Sequence, residues 1–285
     1  MKDTIFNSNI TLNCQGKLIE FDTPIIMGII NTTPDSFYKG SRVESTNQII
    51  EQVNQFVKEG VDIIDVGGYS SRPGADEVSE EEEISRILPA IKLIRQTFKN
   101  LLISIDTFRP NVAKIALENG ANIINDISGG QFDEQIFNIA STYSAPYIMM
   151  HMRGTPQNMQ NNTQYEHLIK DLVYFFSKQI QTAQKNGIKD IIVDPGLGFS
   201  KTLEQNYEII KHLDLFKVLD KPILIGASRK SMLYKLLNIS ANESLNATTV
   251  INTIALLNGA NILRVHDVKE AVELKKIHRK IKEIN

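Results

Sequence analysis

Asp106, Asn125, Asp194 and Lys230 lie far apart in the chain but together offer two carboxylates, an amide and an ammonium. A carboxylate accepts two parallel N–H bonds, so this set suits a flat heterocycle with an amidine-like edge. Asn31, Arg264 and His266 form a second set, with guanidinium and imidazole donors beside an amide oxygen. That mixture suits a phosphate or pyrophosphate together with Mg²⁺, an ion that takes few protein oxygens and fills its shell with substrate phosphates and water. Asn31 is then the protein oxygen nearest the metal. Arg264 and His266 stand two apart and share one face of a strand. Arg72, between Ser71 and Pro73, could close over an anion, although an exposed loop charge fits equally well. Phe37 and Tyr38 could cover an aromatic substrate or simply anchor their loop. His151, among Met149, Met150, Met152 and Arg153, reads as a structural hydrogen-bonding residue rather than a base. No serine–histidine–acid order and no histidine metal cluster stands out.

Taken singly, each polar residue is an ordinary strand cap; three of them, Asp106, Asn125 and Asp194, in one ring favour a ligand site. The ring follows from eight short apolar runs, at residues 25–30, 63–66, 101–105, 123–124, 147–150, 191–193, 223–225 and 262–265, each ending in a polar or glycine-rich tip. Continuous Val/Ile/Leu runs are the mark of parallel strands buried on both faces. Helical periodicity separates them, at residues 46–60, 79–99, 110–119, 132–142, 165–186, 203–219, 230–237, 244–258 and 268–284. Eight alternating units predict an α/β fold, a (β/α)8 TIM barrel, in which catalytic groups gather at the C-terminal strand ends. Alternation within residues 10–21, around a turn at 13–16, predicts a β-hairpin that could plug the barrel bottom. Ser79 and Glu82 have capping-box spacing, and the acidic run 80–83 reads as a solvated first turn. Two long connections, 31–41 and 67–75, are candidate lids.

The chain has 285 residues, 42% of them hydrophobic, a net charge of −2 and a single cysteine, Cys14. The length fits one barrel, a single domain over 1–285, and no linker-like stretch divides it. Interspersed charge argues against a general nucleic-acid binder. One cysteine excludes an intrachain disulfide. No run reaches the ~18 apolar residues of a membrane span, so a soluble, cytoplasmic protein is expected.

The strand tips closely resemble the signatures of dihydropteroate synthases. Met27-Gly28-Ile29-Ile30-Asn31-Thr32-Thr33-Pro34-Asp35-Ser36-Phe37 resembles the first, and Asp65-Val66-Gly67-Gly68-Tyr69-Ser70-Ser71-Arg72-Pro73-Gly74 the second. Further matches are Ile105-Asp106-Thr107, Asn125-Asp126-Ile127-Ser128-Gly129, Met150-His151-Met152-Arg153-Gly154, Asp194-Pro195-Gly196-Leu197-Gly198-Phe199, Ser228-Arg229-Lys230 and Arg264-Val265-His266-Asp267, in the family's order. The resemblance implies condensation of 6-hydroxymethyl-7,8-dihydropterin pyrophosphate with p-aminobenzoate in folate synthesis, with Mg²⁺, and a sulfonamide target. It implies pterin contacts from Asp106, Asn125, Asp194 and Lys230, with Ile127, Met149 and Phe199 near the ring faces. It implies pyrophosphate contacts from Asn31, Arg72, Arg264 and His266. Phe37, Ser71, Pro73, Ser228 and Lys230 would shape the p-aminobenzoate pocket. Asp35 would act in turnover through the first loop.

Thr32, Ser71 and Ser200 depart from the expected valine, threonine and glycine. The resemblance also implies a homodimer through the last helices. Of the apolar residues there, Val250, Ile251, Ile254, Leu256 and Leu257, most are expected in the core. Two alternatives share the pterin contacts. A pterin-binding methyltransferase has no need of Arg264/His266 or the Ser-Arg-Lys run, and a non-catalytic paralogue has no need of an intact Asn31, Asp106 and Lys230.

Overall fold

A computed structural model describes residues 11–32, 42–69 and 78–284, with the backbone alone for 42–46. The described residues open with the hairpin, β1 (Thr11–Cys14) and β2 (Lys17–Glu20). Cys14 pairs with Lys17, which leaves a two-residue turn at Gln15 and Gly16. Both have positive φ, 52° and 90°, as a type I′ hairpin turn requires, and Gly16 N donates to Asn13 Oδ1 at 2.8 Å.

Eight parallel strands follow: β3 (Ile25–Asn31), β4 (Ile63–Gly67), β5 (Leu102–Asp106), β6 (Ile123–Asp126), β7 (Tyr147–Met150), β8 (Ile191–Asp194), β9 (Leu224–Ile225) and β10 (Ile262–Val265). Their order is β8-β7-β6-β5-β4-β3-β10-β9. A parallel bridge between Val193 and Ile223 joins the two ends into a ring. The helices among the described residues are α1 (Arg42–Glu59), α2 (Glu80–Thr97), α3 (Pro110–Glu118), α4 (Gln135–Thr142), α5 (Leu168–Lys185), α6 (Leu203–Lys211), α7 (Ser231–Leu237), α8 (Leu245–Leu257) and α9 (Val268–Lys282). The seventh unit carries both α7 and α8. The helix expected over 203–219 ends at α6, and residues 213–219 tighten into a 3-10 turn closed by Asp220 at φ 50°.

Strand alternation sorts the side chains into two shells. Ile26, Ile64, Ile103, Ile124, Tyr147, Ile191, Ile225 and Leu263 point outward and pack with the helices. Ile25, Met27, Ile63, Leu102, Ile123, Ile148, Ile192, Leu224 and Ile262 form a separate interior cluster, and Leu12, Cys14 and Ile19 of the hairpin close it from below. The hairpin is therefore the expected plug. Above that layer the inward positions turn polar: Asp65, Ser104, Asp106, Asn125, Asp194 and Arg264.

Two local expectations change. Ser79 accepts a hydrogen bond from Glu82 N at 3.2 Å, but the Glu82 carboxylate turns to Arg86 at 2.5 Å, so only half of a capping box forms. The acidic run is not wholly solvated either. Glu83 is fully buried and pairs with Arg109 at 2.7 Å.

Candidate active site

The upper interior layer is tied across four strands. Arg264 Nε donates to Asp65 Oδ2 at 2.6 Å, and its terminal nitrogen donates to Asp106 Oδ2 at 2.5 Å. Asn125 Nδ2 donates to the same Asp65 oxygen at 3.0 Å. Opposite, the Lys230 ammonium donates to Leu197 O and sits 4.7 Å above the Phe199 ring. Asp194 Oδ1 accepts from Gly196 N at 2.8 Å.

Burial sets the electrostatics, and charge moderates them. Burial raises the Asp106 carboxyl to about 7, against the pull of Arg264, while Asp65 adds to the rise. The Asp106 side chain keeps 21% of its exposure, so water also reaches it. Burial raises Asp194 too, opposed by Lys230 and the Gly196 N–H. Burial lowers the Lys230 ammonium to about 8, against Asp194. For Arg264, burial works downward but the flanking Asp65 and Asp106 outweigh it, so the guanidinium stays charged.

The apolar side of the mouth is built by Ile127, Met150 and Met152, with Phe108 and Phe199 packed against them. Ile127 and Phe199, two of the residues that the resemblance implies for the ring faces, thus line this wall. Met149 does not: it is fully buried in the outer shell with the helices, and Met150 takes the inward place. Alternation is the reason, since Ile148 and Met150 share the inner face of β7.

Asn31 ends β3 beside β10, and His266 follows β10. His266 N donates to Ser228 Oγ at 3.2 Å, and its Nδ1 lies 3.1 Å from the same oxygen. Ser228 therefore braces the β9 loop against the end of β10. Arg264 sits one inward position below His266 and is committed to two carboxylates. Asp35, Phe37, Tyr38, Ser71, Arg72 and Pro73 lie outside the described residues.

Asp65 and Lys201 belong to the site's frame without having stood out as site residues in the sequence. Asp65 is a charge inside an otherwise apolar strand, the same signal that marked Arg264. Lys201 Nζ is buried, 2.9 Å from Phe199 O, 3.3 Å from His151 O and 3.2 Å from His151 Nδ1. Burial pushes this ammonium well below its usual range, against Asp194. His151 is indeed a structural partner, and Lys201 ties it to the loop that carries Phe199.

Two of the sequence departures have local reasons. Ser200 adopts φ 47°, where glycine is the favoured residue. Its Oγ accepts from Arg153 N at 2.7 Å, and its carbonyl accepts from the Tyr165 hydroxyl at 3.0 Å. Thr32 Oγ1 donates to Gly67 O at 3.1 Å, a bond valine cannot make.

A closed barrel whose mouth gathers charged and amide side chains beside an apolar wall is the architecture of a barrel enzyme with a polar planar ligand. Residues 27–266 match the family described as pterin binding enzyme. A dihydropteroate synthase of Synechocystis is 44% identical over 255 residues, 88% of each chain. That of Escherichia coli K12 is 39% identical over 268 residues, covering 93% of this chain and 94% of the other. The solved Yersinia pestis dihydropteroate synthase, in complex with a sulfonamide drug, superposes with a TM-score of 0.90 at 36% identity, over 96% of this chain and 99% of that one. The Xanthomonas albilineans enzyme with 4-aminobenzoic acid gives a TM-score of 0.90 at 30% identity, again over 96% and 99%. The chain belongs to the pterin binding enzymes and, within them, to the dihydropteroate synthases.

Proposed function

We propose that the chain condenses 6-hydroxymethyl-7,8-dihydropterin pyrophosphate with p-aminobenzoate, giving 7,8-dihydropteroate and pyrophosphate. The observation that carries this reading is the single network at the barrel mouth, where Arg264 bridges Asp65 and Asp106 while Asn125 joins them. It gathers acceptors and a guanidinium at the C-terminal strand ends, on the end of the barrel that carries the apolar cluster of Ile127, Met150 and Phe199.

Asp194, Asn125 and Lys230 bind the pterin edge, and the apolar wall takes a ring face. The methylene C–O bond breaks with its electron pair leaving on pyrophosphate, and the conjugated pterin carries the positive charge. Asp106, ionised above about 7, lies where its charge stabilises that cation, the kind of preorganised electrostatics that dominates much catalysis. The p-aminobenzoate nitrogen then attacks with its lone pair, the C–N bond forms, and the nitrogen gives its proton to solvent. An arylamine needs no strong base. Arg264, held by Asp65 and Asp106, is proposed for pyrophosphate. So are His266, Asn31 and Arg72, with Ser228, Phe37, Ser71 and Pro73 for p-aminobenzoate.

Among the described residues no group of three or more His, Cys, Asp or Glu could hold a metal. Asn31 alone fits Mg²⁺ in one way: as a single amide oxygen to an ion otherwise held by substrate phosphates and water. Bound there, Mg²⁺ would neutralise charge on the leaving pyrophosphate. A homodimer through the last helices is supported by an apolar face. Val250 is 50%, Ile254 38% and Leu257 69% exposed, against the expectation that most of the five lie in the core, while Ile251 and Leu256 are buried. Leu236 and Leu237 extend the same kind of surface on α7. Sulfonamides, as p-aminobenzoate mimics, should compete at the same pocket.

The test mixes the protein with pterin pyrophosphate, Mg²⁺ and p-aminobenzoate and measures pyrophosphate. Release that requires both substrates is expected. Absence of release, or release without p-aminobenzoate at the same rate, overturns the reading.

A further inference from the structure

Asp65 is a carboxylate with no exposure at all, placed on β4 inside the barrel, one inward position above the hydrophobic layer's Ile63. Among the described residues only one of its oxygens, Oδ2, has partners, and it has two: Arg264 Nε at 2.6 Å and Asn125 Nδ2 at 3.0 Å. Oδ1 is buried with no hydrogen-bond partner among those residues. Burying an ionised group this way is costly unless it is paired, and here the pairing reaches two residues proposed to hold substrate.

We infer that Asp65 is a positioning residue for the pterin pocket: it sets which atom of the Asn125 amide faces the ligand and locks the Arg264 guanidinium in place. A carboxylate only accepts hydrogen bonds. The Asn125 amide must therefore turn its NH₂ toward Asp65, which takes one of its two N–H donors and fixes the carbonyl oxygen on the other side of the amide. That oxygen then calls for an N–H donor on the ligand. The same oxygen takes Arg264 Nε, so the guanidinium cannot swing along its plane. Its terminal nitrogen stays on Asp106, 2.5 Å away. Asp65 thus selects a ring that presents donors on that edge, and it does so without touching the ring. The inference rests on the proposed pterin-binding reading.

Two variants test it, with binding of dihydropterin pyrophosphate read by calorimetry and folding by circular dichroism and thermal melting. Asp65→Leu keeps a side chain branched at Cγ and sets it directly above the apolar layer of Ile63. It removes the acceptor and should weaken pterin binding roughly tenfold or more, in line with loss of a charge-assisted hydrogen bond, while leaving the KM for p-aminobenzoate at saturating pterin unchanged. Asn125→Asp sets two carboxylates face to face and should lose affinity by a similar factor. Adding Asp65→Asn to it exchanges donor and acceptor within the pair and should recover most of that loss. Wild-type affinity in Asp65→Leu, or a double variant no better than Asn125→Asp alone, overturns the assignment. If the wild-type protein itself fails to bind the pterin, the functional reading fails instead, and the two failures are distinct.

Discussion

The lower and upper halves of the barrel interior are made by the same strands and differ in almost every energetic respect. Below, Met27, Ile63, Ile123, Ile148, Ile192 and Ile262 pack into one apolar cluster on top of the hairpin. Above, the inward positions hold Asp65, Asn125, Asp106, Asp194 and Arg264, and burial raises the Asp106 and Asp194 carboxyls above their ordinary range. The lower layer contributes stability through apolar burial. The upper layer withholds some of it, because charges kept from water are only partly compensated. What the difference teaches is that one strand can serve both ends: a fixed interior face carries an apolar residue where the barrel must hold together and a polar one where it must bind.

That contrast can be broken from either side. Ile192→Ala removes a fully buried side chain from the lower layer and should cost about 2–5 kcal/mol in chemical unfolding, with pterin affinity measured by calorimetry changed less than about threefold. Lys230→Ala does the reverse. Pterin affinity should fall by up to about a hundredfold, the upper range for a lost charged hydrogen bond, while the melting temperature holds or rises because a buried ammonium is gone. Wild-type affinity would remove Lys230 from the pocket.

Asp106→Asn sharpens the comparison through pH. The folded carboxyl titrates at about 7 against 3.8 in the ordinary range, so between those values the folded state binds the proton more tightly than the unfolded chain. Wild-type stability therefore declines as pH rises through that window. The asparagine variant lacks this titration, so its melting temperature should exceed that of the wild type by a margin that grows from pH 4 to pH 7. A margin that shrinks over that range would contradict the assigned direction. The smallest expected effect is at the rim. Ser200→Ala loses the bond to Arg153 N but keeps the left-handed backbone and should cost about 1 kcal/mol; Ser200→Gly relieves the backbone and should cost less.

Much of this site was legible in the sequence because barrels bring strand ends together whatever lies between them. Asp106, Asn125, Asp194 and Lys230 each sit at or just past the end of an apolar run, and those ends form the mouth. The register was harder. Met149 and Met150 are neighbours in a run that is apolar throughout, and a one-residue shift exchanges inside for outside. Val250, Ile254 and Leu257 read as core because composition does not say which side of a helix the barrel covers.

The amino-acid order by itself determined the eight units, the hairpin and the polar tips, since periodicity and local turn chemistry act over a few residues. Only the closed ring decided that Asp65 meets Arg264 across the intervening strand β3, that Lys201 reaches His151, and that Arg264 spends its donors on two carboxylates. Those contacts join positions far apart in the chain, and nothing local encodes the distance between them. Their geometry exists once the barrel has closed and water has left its interior.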